Sequence, residues 1–211
     1  MYTTPTVLGT TITLTYAPEY GAADVNDKST ADAGSADGRS YDATININPS
    51  LGTEILAGLN VFGAASTIEA TKQNYGDIDD RYEAVGGVTY DLGPLSLGAQ
   101  WSADYTGVDS PHSSGNTAVI NLYKNFAYGV AFNVSDDLSV SYNSWKAKKA
   151  GYTDSDINQL PEGDRTIDVS SMQASYTMGG ASFRVANTHV ENAAWNTARD
   201  EETTTFSLGL A

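Results

Sequence analysis

The sequence predicts an all-β protein, an antiparallel up-and-down sheet that closes as a transmembrane β-barrel. Three observations lead to this prediction. Side-chain polarity alternates with a period of two, short and long connections alternate along the chain, and tyrosine outnumbers phenylalanine by 13 to 5. Tyrosine suits a surface where the ring lies in an apolar phase and the hydroxyl in water.

About ten segments show the alternation of a β-strand, in which successive side chains point to opposite faces. They come near the ~9 to 11 residues that a tilted strand needs to cross a membrane. Two of them, residues 55–64 and 181–190, alternate less regularly than the rest. The clear segments are residues 11–16, 41–48, 82–90, 95–105, 128–134, 138–143, 172–178 and 205–210.

The connections between these segments alternate in length. Short turns rich in Pro, Gly and Asp are expected at residues 48–52, 92–94, 135–137 and 178–180. Long polar stretches cover residues 19–39, 67–80, 106–116, 146–165 and 191–201. Every second connection of a meander lies on the same side, so one side carries turns and the other carries acidic loops. Outer-membrane barrels have this layout, with short periplasmic turns and long extracellular loops.

A soluble β-sandwich is the alternative fold, because it also contains alternating strands. Its apolar faces would meet in a core, for which we expect more Ile, Leu and Phe and less Tyr. Its connections would not separate so regularly by length. The polar faces here carry mainly small uncharged residues, which suit a crowded or water-filled interior, and we therefore favour the barrel.

Aromatic residues recur at outward positions of the predicted strands. Tyr82 and Tyr90 share one face eight residues apart, which corresponds to about 20 Å of height at a tilt of roughly 40°. The apolar band of such a barrel is about 25 Å tall and is bordered by aromatic girdles. We expect further girdle residues towards the strand ends, at Tyr16, Tyr41, Trp101, Tyr105 and Tyr142.

Composition excludes several other classes of protein. Cysteine is absent, which excludes a disulfide scaffold, a thiolate metal site and a cysteine nucleophile. The net charge of −15 argues against nucleic acid as a partner. No segment has the ~18 to 20 apolar residues of a transmembrane helix, and residues 1–5 lack the basic and apolar regions of a signal peptide.

Two parts of the chain resemble the C-terminal portion of the general porins of Gram-negative bacteria, of the alphaproteobacterial and marine type. Residues 128–142 resemble a porin hairpin over a tight periplasmic turn, and residues 175–181 and 205–210 resemble the final strands. The resemblance implies a homotrimer of barrels with about 16 strands each, embedded in the lipid of the bacterial outer membrane. It also implies passive diffusion of ions and small polar solutes through a water-filled channel.

On this interpretation, residues 1–211 form one porin-type β-barrel domain that lacks the N-terminal strands and the constriction loop of the family. Tyr2 to Pro5 resemble the tail of an earlier strand that enters a turn near residues 7–9. Phe206, Leu208 and Leu210 face outward, so the next outward position, where the family typically has Phe, falls after Ala211. We therefore expect an incomplete barrel.

Seven polar residues are expected to line the pore, because they alternate with the apolar stripes. A charge facing lipid near the midplane costs about 2 to 4 kcal/mol, which directs Arg184 inward. The alternative is that these residues only solvate the barrel wall. The acidic residues among them predict a weak preference for cations. The seven are Asp42, Asn46, Glu83, Gln100, Asp104, Asn143 and Arg184.

No catalytic residue, metal site or cofactor is predicted. The acidic segments 24–27 and 77–80 offer oxygen ligands for Ca²⁺, but neither matches a calcium-binding loop. A barrel hydrolase would require a histidine near a carboxylate, for which His189 and Asp104 are the candidates, yet nucleophile motifs are absent. The alternative to a pore is a non-pore surface barrel or secreted β-domain that binds a partner through its long acidic loops. Its closed lumen would be filled with side chains, whereas a pore has polar walls around water.

Overall fold

The computed structural model describes residues 1–18, 37–49, 56–70, 80–107, 119–152 and 165–210. In these residues, eleven strands form one antiparallel sheet in which each strand pairs with the next along the chain. No pairing joins β1 to β11 in the described part of the chain. The strands are β1 Tyr2–Thr3, β2 Thr10–Ala17, β3 Asp37–Ile47, β4 Leu59–Ala70, β5 Arg81–Leu92, β6 Leu95–Tyr105, β7 Val119–Asn133, β8 Leu138–Tyr152, β9 Arg165–Met178, β10 Ala181–Glu191 and β11 Glu201–Leu210.

The up-and-down antiparallel topology predicted from the sequence is confirmed. Residues 4–9, 48–58, 93–94, 134–137 and 179–180 connect strands at one end of the sheet, which we call the turn edge. The opposite end is the loop edge. Three of these turns contain left-handed backbone: Leu8 and Gly9 have φ of 50° and 77°, as in a type I′ turn, and Gly93 and Gly179 have φ of 58° and 59°.

Several predicted boundaries were wrong. β8 continues to Tyr152, so residues 146–152 are strand rather than loop. The sequence signal failed there because lysines replace the apolar residues of the alternation. β4 extends to Ala70, beyond the predicted segment 55–64. The connection between β3 and β4 covers residues 48–58 instead of the predicted 48–52. The short β1 adds an eleventh strand to the ten that were predicted. The 191–201 connection contains a short 3₁₀ helix at Ala193–Trp195.

The register separates the side chains into two faces, because directly opposite residues in paired strands point to the same side. One face, the apolar face, carries seven apolar residues of the alternating segments 11–16, 41–48, 95–105 and 128–134, and the common face that the alternation predicts for them is confirmed. Most of its large side chains are exposed, and none of the described large side chains is fully buried. The described residues therefore form no core between two packed sheets, contrary to the sandwich alternative. The seven are Ile12, Leu14, Ile45, Ile47, Leu97, Val130 and Phe132.

The opposite, polar face is the more crowded one. Along β7, the apolar-face residues Phe126 and Tyr128 are exposed, whereas Asn125 and Ala127, which alternate with them, are half-buried. Ser171, on the same face as Asn125, is one of the few described residues that are buried. Crowding on one side is expected when a twisted sheet curves, because side chains converge on its concave side. The polar face is thus the concave one.

Candidate functional site

All seven predicted pore-lining residues lie on the polar face. Pairing connects Asp42 through Ser66 to Glu83, and Glu83 is directly opposite Asp104. Asn46 is connected in the same way through Phe62 and Gly87 to Gln100, and Asn143 is opposite Gly129 and Ser171. Arg184 is opposite Ser175 and donates a hydrogen bond to Gln173. The structure therefore brings the seven residues onto one concave surface.

One cross-strand row on the polar face concentrates charge, and we call it the charged row. Each member is directly opposite the next on the neighbouring strand, so neighbouring Cβ atoms lie about 5 Å apart. Its first half contains carboxylates and its second half cations, with Tyr123 between them. The row consists of Asp42, Ser66, Glu83, Asp104, Tyr123, Lys149 and Arg165.

The distance between the charged row and the turn edge increases from β3 to β9. Asp42 lies five residues from Ile47, the turn-edge end of β3. Arg165 lies thirteen residues from Met178, the turn-edge end of β9. Strands of a barrel tilt and stagger in this way. The acidic end of the row therefore lies closer to the turn edge, and its basic end lies at the loop edge.

Arg81 partly neutralises the acidic half of the row. Its Nε and Nη2 donate to Oδ1 and Oδ2 of Asp104 at 3.0 and 2.7 Å, a bidentate pair. Its Nη2 also lies 3.0 Å from Oε1 of Glu83. Bidentate guanidinium–carboxylate pairs fix geometry as well as charge. The guanidinium thus holds two carboxylates of adjacent strands in place.

The basic half is anchored by the short helix after β10. The Nζ atom of Lys149 lies 4.8 Å from the centre of the Trp195 ring, a cation–π contact. Nη1 of Arg165 donates to the Trp195 carbonyl oxygen at 2.9 Å. Asn192, Ala194 and Trp195 all have positive φ, which folds this segment tightly. One tryptophan therefore orders two cations at the loop edge.

Two open hollows lie along the polar face. A hollow of about 440 Å³ is lined by carboxylates of the charged row and by Ser66, Ser102 and Asn125. A second of about 630 Å³ lies closer to the turn edge, between Gln100, Asn143 and Trp145. Its floor is formed by small residues, including the directly opposed Gly98 and Gly129. Because these side chains are short, they do not fill the space beside the polar groups of the second hollow.

The apolar face carries no charge near the turn edge. In every described strand, the outward positions within seven residues of the turn-edge end are uncharged. Eight residues correspond to about 20 Å of height at a rise of ~3.3 Å and a tilt of about 40°. The uncharged zone, which we call the apolar band, ends at Arg39, Lys124, Lys146, His189 and Glu202, each eight or nine residues from the turn edge.

Aromatic rings lie at both limits of the apolar band. Tyr82 and Tyr105 are each ten residues from the turn edge, with ring centres 6.3 Å apart. Tyr90 and Tyr176 are two residues from it. The other four predicted girdle residues, Tyr16, Tyr41, Trp101 and Tyr142, are on the apolar face as predicted and lie four to six residues from the turn edge. Tyr16 is one residue from the end of β2, as expected, whereas the other three lie further inside their strands than predicted.

Sequence reasoning missed Arg81, Tyr123, Lys149 and Arg165. Lys149 and Arg165 fell into a segment predicted to be a loop. A usable signal was the continued alternation of Trp145, Ala147 and Lys149, which keeps these three residues on one face. Nothing in the sequence alone places Lys149 opposite Arg165.

The arrangement required for a hydrolase is not formed. His189 lies on the apolar face of β10, whereas Asp104 lies on the polar face of β6. Among the described residues, no three His, Asp or Glu side chains are close enough to hold a metal ion. Of the candidate calcium segments 24–27 and 77–80, all residues except Asp80 lie outside the described residues.

Comparison with known proteins adds no family. Neither a protein-family model nor a curated protein matches the chain. None of the helices within the described residues is both long and apolar enough to span a membrane. The described residues define an all-β protein with one antiparallel up-and-down sheet, one exposed apolar face and one face that carries the charged row.

Proposed function

We propose that the protein forms the wall of a water-filled pore in the outer membrane, through which ions and small hydrophilic solutes diffuse passively. The observation that carries this proposal is the apolar band. Its height of about 20 Å is close to the ~25 Å apolar zone of outer-membrane barrels. Charges begin at the same height on strands that are distant in sequence, including β3, β7, β8, β10 and β11.

Exposure of this face to water would be unfavourable. Large side chains such as Trp101, Phe126 and Phe132 are more than two-fifths exposed. Contiguous apolar patches of this kind mark membrane or protein contact. Lipid is the medium that covers such a face on every strand, and the tyrosines at its limits suit the two membrane interfaces.

The polar face supplies the channel side of the proposal. If this face borders water, its carboxylates, amides and hydroxyls can form hydrogen bonds with water. The glycines of the same face leave space for solute. The counter-charges of Arg81, Lys149 and Arg165 offset the three carboxylates of the charged row. We therefore propose only a weak cation preference, which stems from the excess of 26 acidic over 11 basic residues in the chain.

The resemblance to general porins extends the proposal to a homotrimer in the bacterial outer membrane. The test uses the gene product as it occurs in its membrane. Cell fractionation and planar-bilayer recordings should find it in the outer membrane and show stepwise conductance with a small cation-selective reversal potential. Recovery in the soluble fraction would refute the membrane assignment. Membrane insertion without conductance would favour the non-pore surface protein instead.

A further inference from the structure

Trp145 is an exposed aromatic side chain on the polar face of β8. It is directly opposite Ala127 on β7 and Val169 on β9, and it is 40% exposed. Within the described strands, every other large hydrophobic side chain that is exposed lies on the apolar face. Lipid against the apolar face does not account for an exposed indole on the opposite face, so this ring requires a different explanation.

Small residues separate Trp145 from the polar side chains across the sheet. Ala127 is directly opposite both Trp145 and Gln100, so two inter-strand spacings of ~4.8 Å place the backbones of Trp145 and Gln100 about 10 Å apart. Gly129 is opposite Asn143 in the neighbouring row, closer to the turn edge. All five residues line the second hollow, of about 630 Å³. The space above Ala127 is therefore bordered by an indole on one side and by an amide on the other.

The polar groups around this space are not paired with one another. No hydrogen bond joins the indole N–H of Trp145, the amide of Gln100 or the amide of Asn143 to another described residue. Elsewhere on the polar face, the amide of Asn125 donates a hydrogen bond to Ser102 at 3.3 Å. The indole and the two amides thus offer donors and acceptors to a ligand.

Charged side chains lie away from the ring. Lys149, the nearest charged residue of β8 on the same face, is four residues from Trp145, or about 13 Å along the strand. Of the described residues that line the hollow, Asp91 alone is charged, and it accepts a hydrogen bond from Ser96. An ionic solute would therefore have no counter-charge beside the indole. An entirely apolar solute would leave the amides without partners.

We propose that Trp145, Gln100 and Asn143 form a binding subsite for a neutral saccharide on the polar face. One face of a pyranose ring presents C–H groups that pack on an indole, and the rim of the ring carries hydroxyls. Amide side chains match these hydroxyls, because both groups donate and accept hydrogen bonds. Aromatic rings with a few placed polar groups are typical of ligand sites. The inference deepens the proposed function, because it names a class of solute, and it rests on the polar face bordering water.

Tryptophan fluorescence offers a local readout. The chain contains three tryptophans, so Trp101→Phe/Trp195→Phe leaves Trp145 as the emitter. In the control, Trp145→Phe/Trp195→Phe leaves Trp101, which is 45% exposed on the apolar face. The full chain in phospholipid vesicles is titrated with maltotriose, cellotriose and mannotriose, and with cyclohexanol and sodium glucuronate as apolar and anionic comparisons. Quenching by acrylamide, measured in parallel, reports contact of each tryptophan with water.

We expect at least one of the three sugars to change the emission of Trp145 saturably and to leave that of Trp101 unchanged. Gln100→Ala/Asn143→Ala should weaken binding of that sugar about tenfold, because two hydrogen bonds are lost. Asn187→Ala removes an amide from the apolar face and should leave the affinity unchanged. Unaltered acrylamide quenching of Trp145 in the double variant shows that its surroundings remain folded, and an unchanged sugar affinity there would contradict the assignment.

Three further outcomes would overturn the inference. If acrylamide quenches Trp145 but none of the three sugars changes its emission, the subsite is wrong while the polar face still borders water. If cyclohexanol or glucuronate binds more tightly than every sugar, the ligand is apolar or anionic and the assignment to a neutral saccharide is wrong. If acrylamide quenches Trp145 no more than Trp101, the polar face does not border water and the proposed function fails as well.

Discussion

Replacing Val88 by arginine would place a charge inside the apolar band. Val88 lies on the apolar face four residues from Leu92, the turn-edge end of β5, or about 10 Å above it at the same rise and tilt. Its opposite neighbours are Val61 and Ala99, so no carboxylate lies beside it. An arginine on the lipid side near the midplane of a barrel costs about 2 to 4 kcal/mol.

The matched control is Thr89→Arg. Thr89 is the next residue of β5, points to the polar face and lies opposite Asn60 and Gly98. A guanidinium there stays in water, and we expect a loss below about 1 kcal/mol. The two variants therefore introduce the same charge at the same height and differ only in the face that carries it.

The assay is reversible guanidinium unfolding of the protein in phospholipid vesicles, with the free energy of unfolding extrapolated to zero denaturant. A loss of 2 kcal/mol lowers the folding equilibrium constant roughly thirtyfold. A third variant, Tyr82→Arg, tests depth: Tyr82 lies ten residues from the turn edge, where the cost should fall to about 0–1 kcal/mol. Equal effects of Val88→Arg and Thr89→Arg would show that both faces contact water and would refute the reasoning.

Three other substitutions test local features of the sheet. In Gly87→Ala, the new Cβ would collide with the ring of Phe62 and lie 2.9 Å from the backbone oxygen of Ala99, so we expect a loss of about 1–3 kcal/mol in the same unfolding assay, which Phe62→Leu should relieve only in part. Arg81→Gln frees two carboxylates, so single-channel reversal potentials should shift towards stronger cation selectivity; an unchanged potential would place the charged row outside the ion path. Leu8→Asn should raise stability by about 1 kcal/mol, because Leu8 has a φ of 50° that Asn adopts more easily, and a lower melting temperature would contradict this.

The sequence determined the direction of most side chains. Alternation in residues 11–16 and 128–134 assigned Ile12, Leu14, Val130 and Phe132 to one face without knowledge of any partner strand. It placed Asp42 and Glu83 on the other face for the same reason. This works because the period of two is a property of the extended backbone itself. The alternation of apolar and polar residues is not recognisable at the loop edge of β8, because lysines replace the apolar residues there.

Which side chains become neighbours depends on the register of the folded sheet. Glu83, Asp104, Tyr123 and Lys149 occupy four separate strands, and their union in the charged row depends on the register of each pair. The height at which charges begin on the apolar face likewise depends on the stagger of all strands together. Register is set by hydrogen bonding between segments joined through turns and loops, and a shift of one residue would move every one of these groups to the opposite face. Side-chain direction is therefore local information, whereas adjacency is a property of the whole sheet.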